Sequence, residues 1–280
     1  MRSNAFFART ATDAWLDLVT KTLARGSRSN PRGTPTLEIL GNSTIIDMNH
    51  PVVLSVDRKL SYRFMAAEAW WILSGRSDAE SIGRHCKNIV KFADVEEPTG
   101  LHFFGAYGPK IMAQLGHVVE TLSRDPDSRQ AVINIWRECP PSTRDVPCTL
   151  SVQWLIRDGR LFCIDTMRSS DVWLGWPYDV FNFSMISWQL LDLLQLKAGM
   201  DLRLGSLQLN AGSQHLYQKD VDRLVDLDLS KSHEFDGSRV GTHACLGIQY
   251  ELGCCIGEIE GEPIHPFFTN FKNQLINNQK

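Results

Sequence analysis

The sequence predicts a mixed α/β (α+β) domain, in which strands and helices follow no regular βαβα alternation. Three observations lead there. Two β-like runs, TLSVQWLI and LFCIDTMRS, flank Arg157-Asp158-Gly159-Arg160, and Asp-Gly between such runs signals a two-residue type I′ hairpin. The segment DVFNFSMISWQLLDLLQLKAG, residues 179–199, is a long apolar helix pattern stopped at Gly199. Strands also outnumber helices in the second half, which places the chain outside the regular alternating class.

Bulk properties fit that class. The 280 residues are 43% hydrophobic and 22% charged, with a net charge of −3, enough for a sizeable core in a single domain spanning 1–280. A protein that coats nucleic acid would carry a basic excess, so no nucleic-acid partner is expected. A small phosphorylated ligand needs only a few local arginines. No stretch approaches a membrane span and the start lacks an apolar leader. The seven cysteines (86, 139, 148, 163, 245, 254 and 255) are odd in number and form no CxxC. Reduced thiols in a cytoplasmic protein without a metal site are therefore expected.

In order along the chain, TDAWLDLVTKTLAR reads as a helix closed by Gly26, and residues 26–35 as a turn. TLEILGNSTIIDM reads as strand, turn, strand. YRFMAAEAWWILSG is a strongly apolar helix ending at Gly75, and SDAESIG restarts the chain with a capping pattern. Residues 84–108 look irregular, a helix follows over 109–123, and QAVINIWR opens the β-rich part. DLRLGSLQLNAG is a strand after the long helix.

The hairpin brings chemistry together. With Asp158 and Gly159 as the loop, Arg157 faces Arg160, Trp154 faces Cys163 and Cys148 faces Ser169. Arg168 becomes a diagonal neighbour, and a single bulge would turn it to the face of Cys148. A cysteine with such company should have a depressed pKa, although a free cysteine is more often a small buried hydrophobe. Glu68 is the second anomaly. Among Ala67, Ala69, Trp70 and Trp71 it is either on a narrow wet face or buried with a raised pKa and a proton-transfer role. Asp179 opens the long helix, where a carboxylate suits an N-cap and the helix dipole.

Six ordered motifs, EAWWILSG, FFGAYG, DPDSRQ, DVPCTLSVQ, MRSSDVWLGWPYD and GSQHLY, make the chain resemble the thymidylate synthase superfamily over most of its length. In carrying Thr149 after Cys148 and an aspartate at 179, it is most similar to the pyrimidine-nucleotide hydroxymethylases of bacteriophages. The resemblance implies a mixed β-sheet flanked by helices and a sheet-to-sheet homodimer. It implies Cys148 as the nucleophile at C6 of the pyrimidine, with Glu68 and Tyr107 organising proton transfer. Arg168, Ser169 and Arg129 would bind the 5′-phosphate, Arg129 reaching the partner's site. Arg32 is a further phosphate candidate, with Arg28 in competition. Gln153 and Ser169 would hold the nucleotide, and His215 and Tyr217 the sugar 3′-hydroxyl. Asp171, Trp71, Leu174 and Gly175 would receive the cofactor, 5,10-methylenetetrahydrofolate.

The chemistry accounts for these residue types. Thiolate addition at C6 makes C5 nucleophilic enough to take up a one-carbon unit, and the cofactor carries that carbon. Loss of the C5 proton leaves an exocyclic methylene, which hydride turns into methyl and water into hydroxymethyl. Thymidylate synthases carry asparagine where this chain has Asp179. A carboxamide matches the N3–H and O4 of uracil, whereas a carboxyl accepts from cytosine N4 and shares a proton with N3. Asp179 therefore predicts a cytidylate substrate, and the resemblance implies the deoxynucleotide dCMP with Asp179 as a catalytic group. A tryptophan expected after EAWWILSG is absent, with Ile89 or Val90 about where it would shield the methylene, which favours water and a hydroxymethyl product. The alternatives are reductive methylation of dCMP, hydroxymethylation of CMP and methylation of dUMP. A binding-only relative would have lost Cys148 or its arginines. Departures from the family pattern are Gln130 in place of a second arginine, the bulky Trp176, and a C-terminal tail without the short apolar ending.

Overall fold

The computed structural model describes residues 9–96, 100–224, 226–235 and 247–278. Cys245 and the first eight residues, on which the leader expectation partly rests, lie outside them. In chain order the elements are α1 (Ala11–Arg25), β1 (Ser27–Ser29), β2 (Thr36–Asp47), α2 (Tyr62–Leu73), α3 (Ala79–Gly83), β3 (Asp94–Glu96), β4 (Gly100–His102), α4 (Tyr107–Arg124), β5 (Val132–Asn134), β6 (Thr149–Arg157), β7 (Arg160–Asp171), α5 (Trp176–Ala198), β8 (Arg203–Tyr217), α6 (Gln218–Leu224), α7 (Ile248–Ile256) and α8 (Pro266–Asn270). Six strands form one mixed sheet in the order β1-β2-β8-β7-β6-β5. β7 and β8 run parallel, joined through α5, and the other neighbours are antiparallel.

The helices cover one face. α5 lies on β7 and β8 with α2, α4 and α7 around it. It is buried on most sides, as its predominantly apolar sequence requires. Trp154 Nε1 donates to Ser187 Oγ at 2.9 Å, tying β6 to α5, and Trp15 Nε1 of α1 donates to the Val172 carbonyl at 2.8 Å. On β6 and β7 the residues Val152, Trp154, Ile156, Leu161 and Cys163 point to this core. Their alternates Gln153, Leu155, Phe162 and Ile164 are half-buried on the opposite face. The tail residues Phe267, Phe268 and Phe271 are buried, and Phe271 stacks on Phe181 of α5 with centroids 5.3 Å apart. The tail is thus part of the core.

Four local expectations change. TLEILGNSTIIDM is one continuous strand, not strand, turn, strand: β2 pairs with β8 on both sides of Gly41, whose φ of +64° kinks the strand without reversing it. The segment after α3 contains a 3₁₀ stretch, Lys87–Phe92, and the β3–β4 hairpin. The helix placed at 109–123 begins at Tyr107. α5 starts at Trp176 with Pro177 in its first turn, so Asp179 is not an N-cap: its N–H already donates to the Gly175 carbonyl at 3.0 Å. Pro177 fits that early start because it needs no N–H partner there.

Candidate active site

The Asp158-Gly159 hairpin forms as expected, with both φ angles positive and with Arg157 opposite Arg160 and Trp154 opposite Cys163. The register then shifts between Thr149 and Ser151, so the bulge exists and brings Arg168 directly opposite Cys148. The Arg168 N–H donates to the Cys148 carbonyl at 2.8 Å. Its guanidinium donates from Nε to the Pro147 carbonyl and from Nη2 to the Val146 carbonyl, both at 2.9 Å, and from Nη1 to Ser169 Oγ at 3.0 Å. Cys148 Sγ lies 3.8 Å from Arg168 Nη2 and from Ser169 Oγ. A guanidinium has five N–H donors, so Arg168 shapes the loop that carries Cys148 and retains one N–H for a ligand.

Cys148 opens onto a cavity of about 210 Å³. Glu68 and Trp71 of α2, Tyr107 of α4, and Asp179 and Asn182 of α5 line it, together with Ile89, Phe92 and the Asp145–Cys148 segment. Glu68 is half-buried and meets the cavity, not a wet helix face. Burial pushes its carboxyl up to about 7, against a 2.8 Å hydrogen bond from Asn182 Nδ2 that favours the anion. Burial, with the negative charges of Glu68 and Asp171, holds Asp179 well above the usual carboxylate range. Asp179 accepts no hydrogen bond from a side chain or backbone donor among the described residues. Two carboxyls that line one cavity disfavour each other's ionised form. The Tyr107 hydroxyl accepts from the Thr149 N–H at 3.3 Å, and burial keeps it protonated.

The thiol of Cys148 departs from the sequence expectation. Burial raises its pKa, and this outweighs Arg168 and the Ser169 hydrogen bond, which lower it; the charges of Asp179 and Asp145 add to the rise. The neighbouring cation is present as expected, but desolvation of the thiolate is the larger effect.

The remaining candidates lie elsewhere. Asp171, at the end of β7, receives the N–H groups of Trp173 and Leu174 on Oδ1 at 2.8 and 2.9 Å, and burial raises its pKa. It pairs in register with His215 of β8, whose ring meets Tyr217 edge-on at 5.2 Å. Leu174 beside it is 46% exposed, and Gly175 follows at the start of α5. Gln153 does not border the cavity: it lies on the sheet's opposite face and donates to the Arg129 carbonyl at 2.8 Å. Arg129 is exposed, as are Arg28 on β1 and Arg32 in the adjoining turn, where φ is +52°. Neither Arg28 nor Arg32 lines the cavity. Of the two candidates for the missing tryptophan position, Ile89 lines the cavity, whereas Val90 packs against Gly83.

Sequence reasoning missed Asn182 and Asp145. Asn182 lies three residues after Asp179, hence on the same helix face, and is a polar interruption in VFNFSM. Asp145 lies three residues before Cys148, and only the packed structure shows that it borders the cavity.

A thiol, neighbouring carboxyls and a tyrosine hydroxyl line one cavity on a helix-covered mixed sheet, and these are group types that covalent addition and proton transfer use. Residues 13–238 match the family model described as Thymidylate synthase. The chain belongs to the thymidylate synthase family, and its class of reaction is folate-dependent one-carbon transfer to a pyrimidine nucleotide. Methylenetetrahydrofolate is the family's cofactor. The residues present suit it: Asp171 Oδ1 is held by two backbone N–H groups, Oδ2 has no donor among the described residues, and exposed apolar surface at Leu174 adjoins it. No described helix is long and apolar enough to cross a membrane.

Proposed function

We propose that this enzyme hydroxymethylates deoxycytidylate at C5, with the carbon from 5,10-methylenetetrahydrofolate and the oxygen from water. One observation carries the reading: the cavity beside Cys148 presents the Asp179 carboxyl, which accepts no hydrogen bond among the described residues and whose pKa burial raises. A neutral carboxyl donates its O–H to cytosine N3 and accepts from the N4 amino group. An amide can imitate that pairing but cannot give up a proton. Sharing that proton with N3 draws electron density from the ring, which makes C6 a better electrophile.

The residues then divide the work. Cys148 adds to C6 as the thiolate, and Arg168 stabilises the sulfur's charge from 3.8 Å. Glu68, poised near neutrality, exchanges protons around the ring, with Asn182 fixing its carboxylate and Tyr107 in the same network. When bound, methylenetetrahydrofolate supplies the one-carbon unit at the oxidation level of formaldehyde. Asp171, Trp71, Leu174 and Gly175 would hold it, with Asp171 as the polar anchor. Arg168, Ser169 and Arg129 bind the 5′-phosphate, Arg129 from the second subunit, with Arg32 as a further candidate and Arg28 in competition. Gln153 positions Arg129 through its carbonyl, and His215 and Tyr217 take the sugar 3′-hydroxyl. The open sheet face, with Leu155, Phe162 and Ile164 half-buried, supports a sheet-to-sheet homodimer. A cytoplasmic enzyme without a resident metal is the corresponding setting.

Ile89 in the cavity wall leaves room for water. Phe92, also in that wall and 50% exposed, favours a second reading, in which an aromatic shields the methylene and reduction gives 5-methyl-dCMP. The test is incubation with the folate and each of dCMP, dUMP and CMP, followed by product masses. Hydroxymethylated dCMP is expected. Modification of dUMP with dCMP untouched would sink the Asp179 reading, and dihydrofolate with 5-methyl-dCMP would establish the second one.

A further inference from the structure

Adding water to the exocyclic methylene requires a base for the water's proton, and the cavity supplies a carboxyl that none of the roles above uses. Asp145 lines the cavity from the segment that leads into Cys148. Its position is fixed. Oδ2 accepts from the Gly105 N–H at 2.8 Å, and its own N–H donates to Thr143 Oγ1 at 3.1 Å. The Thr143 hydroxyl in turn donates to Asp94. Gly105 allows this approach, because a Cβ there would lie 2.6 Å from the Asp145 carbonyl and 2.9 Å from Oδ2. Oδ1 accepts from no donor among the described residues.

The other carboxyls of the cavity are committed. Asp179 is assigned to the pyrimidine, and Glu68 accepts from Asn182 Nδ2 at 2.8 Å. Asp145 comes from the segment before Cys148 and lies against Gly105, whereas Glu68 and Asp179 come from α2 and α5. Burial raises its pKa, opposed by the Gly105 hydrogen bond, with Asp94 adding to the rise. A carboxylate made more basic in this way is a better proton acceptor than a solvated one.

We propose that Asp145 is the general base of the water-addition step, an assignment that rests on the hydroxymethylation reading. A water held by Oδ1 adds its oxygen to the methylene carbon while its proton passes to Asp145. The C5–methylene π pair moves to C5–C4, and the C4 substituent takes the charge. Return of that pair forms C5=C6 and expels the Cys148 thiolate with the C–S pair. Nothing is oxidised or reduced, so no further reactant is needed.

The test compares the wild-type enzyme with D145N and D145E on dCMP and methylenetetrahydrofolate, with and without 2-mercaptoethanol. The thiol attacks the same methylene carbon but brings its own anion. D145N is expected to lose hydroxymethyl-dCMP about 100-fold or more while forming the thioether product within about threefold of wild type, and D145E to recover part of the loss. D145S, which removes the carboxylate with less bulk, is read in the same way. Hydroxymethyl formation by a folded D145N at the wild-type rate would overturn the assignment. So would an equal fall of both products. If the wild-type enzyme itself makes no hydroxymethyl-dCMP, the functional reading has failed first, and the two failures are distinguishable.

Discussion

Replacing Asp179 with asparagine separates recognition from proton donation. The side chains are isosteric, and the carboxyl sits where Oδ2 is 3.3 Å from the position a Cβ on Gly175 would take, so the amide fits the same space. The amide can still reach cytosine N3 and N4, but it has no transferable proton. A positioned general acid contributes typically 10²–10⁴-fold, so kcat on dCMP is expected to fall by about that factor, with a smaller change in KM. A carboxamide also matches the N3–H and O4 of uracil, so dUMP should become a substrate. Steady-state product formation from each nucleotide, followed by chromatography, reads both effects. D179N that processes dCMP within about threefold of wild type would refute the proton-donating role.

Glu68 provides a stability test. Its pKa rises from 4.5 to about 7 on folding, so the folded state holds a proton that the unfolded chain has lost. The corresponding stability is present below pH 4.5, declines as pH rises to 7 and is then gone. At 1.36 kcal/mol per unit the decline is about 3 kcal/mol. E68Q should match wild type in urea melts near pH 4.5, exceed it by up to that amount at pH 8, and turn over poorly; equal stability at both pH values would contradict the buried-acid assignment. Cys148 should alkylate with iodoacetamide at a midpoint above the ordinary thiol range, because burial dominates its pKa. R168Q should move that midpoint higher still, and an unchanged midpoint would remove Arg168 from the nucleophile's environment. Mixing inactive C148S and R129A subunits under exchange should restore roughly one quarter of wild-type activity, since half the dimers would then hold one intact site. No recovery in exchanged dimers would place Arg129 outside the partner's site.

What could be read from sequence follows the range of the forces involved. The β6–β7 hairpin was legible because Asp158 and Gly159 carry the positive φ angles that a type I′ turn requires. The bulge that sets Arg168 opposite Cys148 was legible only as an option, since tertiary pairing chooses its place. Gly41 read as a turn because the local signal is strong, but eleven ladder pairs with β8 hold the strand together. Asp179 read as a cap although Pro177 already marked the earlier start of α5. The cation beside Cys148 could be inferred from pairing, whereas the burial that outweighs it depends on α2, α4 and α5 closing over the sheet. The Glu68–Asn182 bond spans 114 positions, a separation at which local pattern carries no information.

Labelled water offers the most direct measurement. The enzyme is incubated with dCMP and methylenetetrahydrofolate in H₂¹⁸O, and the nucleotide and folate products are weighed by mass spectrometry. 5-Hydroxymethyl-dCMP carrying ¹⁸O in the new hydroxyl, with tetrahydrofolate as co-product, is the expected result. 5-Methyl-dCMP with dihydrofolate, or dCMP recovered unchanged while dUMP reacts, would contradict it.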